Sequence, residues 1–168
     1  MFRYITSLFI TIVLLSCGQK RNDTSFDKIV FHTSSCFGFC PVYHMEIDKN
    51  KNVLLYSQAV YKDNHSFDLD SNKTGYFTGL AIDTTFEKLS SEVAKIGIDT
   101  LNFKDVLCCD GSVTTIIIYY NGKRKFLQSM VPPAKARKLI STLYDICETS
   151  KVKRTSEKFI IESEKASR

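Results

Sequence analysis

Ser112-Val113-Thr114-Thr115-Ile116-Ile117-Ile118-Tyr119-Tyr120-Asn121-Gly122-Lys123-Arg124-Lys125-Phe126-Leu127-Gln128-Ser129-Met130 decides the fold. β-Branched and aromatic residues crowd positions 112–120, as in a strand. Asn121-Gly122 is the strongest short hairpin signal, because a type I′ turn needs positive φ at both central residues. Positions 123–130 form the return strand. Pro132-Pro133 then opens a helix, since proline suits the first helical position. Ala136, Leu139, Ile140, Leu143 and Cys147 give that helix a buried stripe. Upstream, Thr84 starts another helix, with Glu87 three residues later as a capping box. Phe86, Leu89, Val93 and Ile96 recur at helical spacing, and Gly97 stops it.

Nearer the start, residues 28–33, 42–48, 53–61 and 76–82 read as strands. In 42–48, Tyr43, Met45 and Ile47 fall on one face, and His44, Glu46 and Asp48 on the other. Residues 49–52 form a polar turn whose asparagines tolerate a left-handed backbone. Residues 62–74 are polar and read as an irregular connection. Strands joined by tight turns predict an α+β domain over residues 26–147. Its antiparallel sheet has about five to six strands, with two helices packed on one face. Residues 148–168 form a charged tail. Phe159-Ile160-Ile161, its apolar cluster, docks on the domain or extends a helix.

The first sixteen residues read as a signal peptide. Arg3 precedes an apolar run too short to span a bilayer, which needs roughly 20 residues. Leu14-Leu15-Ser16-Cys17 resembles the lipobox of bacterial lipoproteins. The resemblance implies cleavage before Cys17 and lipid on its sulfur. Residues 17–25 then serve as a lipidated tether. Several acyl chains on one residue hold far better than one, because each buried CH₂ contributes roughly 0.8 kcal/mol. The expected location is the cell envelope, at the outer membrane facing the periplasm, with the membrane itself as a partner through Cys17. Gly18 stands where an aspartate would imply inner-membrane retention.

The net charge of +5 is mild. Its clusters, Lys123-Arg124-Lys125 among them, read as a solvated face or as attraction to anionic headgroups. No recognition motif points to nucleic acid.

Five cysteines follow Cys17: Cys36, Cys40, Cys108, Cys109 and Cys147. An exported chain meets an oxidising compartment, where disulfides form. A hairpin with the three-residue loop Phe37-Gly38-Phe39 sets Cys36 opposite Cys40, just above disulfide range. Gly38 supplies positive φ, and Pro41 keeps Cys40 extended. A disulfide-tied turn is the favoured reading, and two free thiols the next. Thiol redox chemistry fits less well, since reactive pairs usually have two intervening residues rather than three. Cys40 and His44 lie roughly 13 Å apart along a strand, too far for a nucleophile and its base. A metal site would recruit Cys36, Cys40, Cys108, Cys109, His32 and His44, but adjacent cysteines chelate one ion poorly. Cys147 reads as a core thiol and Asp110 as a turn residue.

Ser35-Cys36-Phe37-Gly38-Phe39-Cys40-Pro41-Val42-Tyr43 resembles the opening motif of a bacterial family of exported proteins, the domain-of-unknown-function family 6438. The resemblance marks Cys36, Gly38, Cys40, Pro41 and Tyr43 as family-motif positions, and Asp110 as the acidic-turn match. It carries no reaction, cofactor or metal. No Ser-His-Asp arrangement, phosphate loop or zinc-helix motif stands out, so no residue is assigned as catalytic. The sequence thus favours a non-enzymatic binding or structural module that engages an envelope protein or glycan. The alternative is a thiol-dependent redox or metal-binding protein using Cys36 and Cys40.

Overall fold

A computed structural model describes residues 26–104, 106 and 110–162. Cys17, Cys108 and Cys109, with the signal, tether and metal-site readings that fall on them, lie outside the described residues.

Seven strands form one antiparallel sheet among the described residues. They are β1 (Lys28–Thr33), β2 (Val42–Asp48), β3 (Asn52–Ala59), β4 (Gly75–Leu80), β5 (Thr114–Tyr120), β6 (Lys123–Ser129) and β7 (Lys151–Arg154), in the order β6-β5-β1-β2-β3-β4-β7. The α+β class stands, but the sheet exceeds the expected five to six strands. The addition is β7, which comes from the segment read as a charged tail and pairs with β4. Gly79 makes that pairing possible. A Cβ there would sit 2.2 Å from the Lys151 carbonyl oxygen.

The β5–β6 hairpin turns through Asn121 and Gly122, with φ of 48° and 70°. At the β2–β3 turn the left-handed residue is Lys51 rather than an asparagine. The Asp48 carboxylate makes this tolerable by accepting hydrogen bonds from the Asn50 and Asn52 backbone N–H groups. α1 (Asp83–Ile96) and α2 (Arg137–Thr149) pack on one face. Phe86, Leu89 and Val93 of α1 and Leu139, Leu143 and Ile146 of α2 share one core with Phe31, Met45, Leu55 and Ile116. Gly97 caps α1 at φ 69°. The Thr84–Glu87 capping box does not form. The helix starts one residue earlier, after Ile82, with no side-chain cap, and Asp83 instead pairs with Lys51 at 2.6 Å.

The opposite face holds a second, smaller cluster. Ile161 and Phe159 cover Val30 and Ile117, so the apolar cluster of the tail docks rather than extending a helix. Glu162 fastens this strap to Tyr119 and to Arg124. Burial alone would raise the Glu162 carboxyl. Hydrogen bonds from Tyr119 and Arg124 outweigh it and hold the group below its ordinary value. A row of rings crosses the same face: His32, His44, Tyr56 and Tyr76 are successive cross-strand neighbours from β1 to β4. His44 is therefore buried although it alternates away from the helix-side core.

Candidate functional site

The site lies at the end of the sheet where β1 stops and β2 begins. The β1–β2 pairing ends at His32 and His44, and the strands themselves end at Thr33 and start at Val42, so the connection spans residues 34–41 and the expected three-residue hairpin does not form. Polar side chains cause this early parting. The Thr33 hydroxyl donates to the Pro41 carbonyl at 2.8 Å and accepts from the Tyr43 N–H at 3.1 Å. Ser34 turns towards the β5 side, where its Oγ accepts from the Val113 N–H and its carbonyl accepts from the Ser112 hydroxyl.

Within this wider loop, the Cys36 and Cys40 sulfurs are 2.01 Å apart, at bonding distance. Gly38 has a φ of 151° and donates its N–H to the Cys36 carbonyl at 2.9 Å. The Phe37 N–H donates to the Asp110 carbonyl at 3.0 Å. Asp110 thus meets the motif through its backbone, and its side chain is exposed.

This braced loop carries aromatics outward. Phe37 is 89% exposed. Phe39 stacks on Phe67 at 4.7 Å and meets Tyr61 edge-on at 5.6 Å. Phe67 is 70% exposed, and nearby Leu69 is bridged to Tyr61. The end of the molecule is therefore an apolar platform built from two chain segments. Sequence reasoning missed Phe67 and Tyr61. The available signal was a large aromatic set within the polar run 62–74.

Tyr43 departs from the other motif residues. It points to the helix side, and burial there raises its phenol far above the usual range. It lines a cleft of about 530 Å³ with Leu55, Ser57, Phe77, Cys147 and Val152. Cys147 is a buried free thiol whose pKa is raised well above its usual value by burial. Among the described residues, no group of three His, Cys, Asp or Glu side chains is placed to hold a metal ion. His32 and His44 lie together across the sheet, with His32 Nδ1 donating to the Tyr43 carbonyl at 3.0 Å and His44 Nε2 3.1 Å from Gln58 Oε1.

The basic residues at the opposite end are matched by carboxylates. Lys28 meets Glu46, Lys49 meets Asp27, Lys123 meets Asp99, and Arg124 meets Glu162.

The family model for a domain of unknown function (DUF6438) matches residues 27–147. The chain belongs to this family. The match takes in Cys36, Gly38, Cys40, Pro41, Tyr43 and Asp110, and so both halves of the braced end. The matched range stops short of β7, which completes the sheet, and of the strap, which covers its helix-free face. No curated protein matches the chain.

Proposed function

We propose that the chain is a lipid-anchored module of the bacterial cell envelope, facing the periplasm from the outer membrane, that works by binding a partner protein. The observation carrying this reading is the exposure of Phe37, on a loop braced by the Cys36–Cys40 bond, and of Phe67, which stacks on Phe39 of that loop. Large apolar side chains in clusters on a surface mark contact sites. Aromatic anchors dominate protein interfaces. Holding them on a fixed backbone reduces the ordering cost of association.

The placement of this end supports the same reading. The tether would enter at Phe26, and β1 then runs its six residues to Thr33, roughly 20 Å at the usual rise. The aromatic end therefore lies at the far end of β1 from Phe26. An anchor entering at Phe26 would leave that end clear of the attachment point.

Chemical crosslinking of the full chain in intact cells tests the reading, comparing the native protein with Phe37→Ser/Phe67→Ser. A specific adduct lost in the double variant, with Cys17 still lipidated by mass spectrometry, is expected. The same adducts from both proteins would sink the assignment of this surface. Cys17→Ser should leave an uncleaved or soluble protein, and continued fractionation as a processed membrane protein would refute the anchor. Free or mixed-disulfide Cys36 and Cys40 in a non-reducing peptide map would turn attention to thiol chemistry.

A further inference from the structure

One row of the sheet tapers away from Tyr43, beside the cleft. Tyr43, Ser57 and Gly75 are cross-strand neighbours on β2, β3 and β4, on the face that carries the helices. Side-chain size falls along the row from a phenol to a hydroxymethyl group to hydrogen. Gly75 is held to glycine by its backbone. Its φ is 130°, and a Cβ would lie 2.3 Å from Arg154 Nη1. Ser57 and Val152 of β7 line the hollow beside Tyr43.

The lining has three chemically distinct parts. Leu55, Phe77 and Val152 provide apolar walls. Ser57 contributes a hydroxyl that is buried and has no hydrogen-bond partner among the described residues. Native proteins rarely leave such a group unpaired, and each case calls for an explanation. Lys73 and Glu148 also line the cleft and carry opposite charges. Among the described residues, the Lys73 ammonium makes only a long contact, with Asp70 at 3.9 Å. Glu148 sits in the last turn of α2, where the negative end of the helix dipole adds to its own charge.

We infer that this cleft binds a free aromatic α-amino acid, with tyrosine preferred to phenylalanine. The ammonium pairs with Glu148 and the end of α2, and the carboxylate pairs with Lys73. The ring lies between the apolar walls, and its hydroxyl satisfies Ser57. A volume near 530 Å³ is within the range of small-ligand sites. A buried polar group discriminates strongly against an analogue that cannot pair with it. The inference is independent of the partner surface proposed above.

Titration of the full chain in detergent micelles with L-tyrosine, L-phenylalanine and tyramine, followed by NMR, tests it. Saturable tyrosine binding is expected, with phenylalanine and tyramine each about tenfold weaker. Ser57→Ala should bring tyrosine and phenylalanine to equal affinity. Lys73→Gln, at an exposed position, should weaken tyrosine and leave tyramine unchanged. The inference is overturned by the absence of saturable binding for all three ligands at millimolar concentration. It is equally overturned by a ligand ranking that neither substitution alters.

Discussion

His32 and His44 stack across the β1–β2 pairing, with ring centroids 4.3 Å apart and planes inclined by 26°. Both are buried. Burial pushes His32 down from 6.5 to about 4, the charge of His44 adds to the effect, and the hydrogen bond to the Tyr43 carbonyl partly opposes it. The fold therefore holds His32 neutral.

Acid sensitivity follows from this. Between pH 6.5 and about 4 the unfolded chain binds a proton at His32 that the folded chain does not. Stability therefore rises with pH in this window. The contribution is full above 6.5, declines as pH falls, and is lost below about 4. The gap corresponds to on the order of 3 kcal/mol. Urea unfolding at a series of pH values should show the decline, and His32→Phe should flatten it. Equal slopes for the two proteins would show that His32 is not the titrating group.

The attachment of β7 depends on the absence of a side chain at Gly79. Gly79→Ala places a methyl carbon 2.2 Å from the Lys151 carbonyl oxygen and 2.7 Å from Val152 Cα, both backbone atoms that cannot swing aside. Overpacking of this kind costs about 1–3 kcal/mol. Hydrogen exchange should speed up along residues 151–154 more than in the β5–β6 hairpin. Unchanged protection of β7 in the variant would contradict the close approach.

The contrast between the hairpin and β7 shows what the chain discloses locally. Asn121-Gly122 and the β-branched run beside it prefer the same structure at every level, so β5 and β6 are legible. Lys151-Val152-Lys153-Arg154 has one apolar residue and no turn signal. Its strand state comes from a groove at Gly79, far away in sequence. The motif loop escapes a local reading for a similar reason. Cys36, Gly38 and Cys40 suggested a tight hairpin, but the hydroxyls of Thr33 and Ser34 offer the backbone competing partners and part the strands earlier. The motif announced its own residues and nothing of Phe67, which reaches Phe39 across a long connection. Ser57 and Gly75 were equally silent, because their smallness matters only beside Tyr43 and the end of α2.

The motif bond closes a short loop, with a sequence separation of four between Cys36 and Cys40. In the chain-entropy description such a closure contributes about 2 kcal/mol. Cys36→Ser/Cys40→Ser should lower unfolding stability by roughly that amount and broaden the NMR signals of Phe37 and Phe39. Identical unfolding midpoints, with the native protein verified as oxidised, would show that the brace contributes nothing to the fold.

The strap tests whether the helix-free face needs its cover. Ile161 is 1% exposed against Val30 and Ile117, both fully buried. Truncating a buried isoleucine to alanine costs about 2–5 kcal/mol, with the lower end applying where neighbours can close up. A segment near the end of the described chain can shift, so Ile161→Ala should cost about 2 kcal/mol. Glu162→Gln removes the charge that Arg124 engages through Nε at 3.0 Å and Nη2 at 2.8 Å. Because that pair is partly exposed, its loss should cost under about 1 kcal/mol. The two changes act on one segment, so the double variant should fall short of their sum. Strict additivity in urea unfolding would mean that Ile161 and Glu162 do not hold the same strap. Enhanced binding of a fluorescent apolar dye by Ile161→Ala alone would place the exposed surface at Val30 and Ile117.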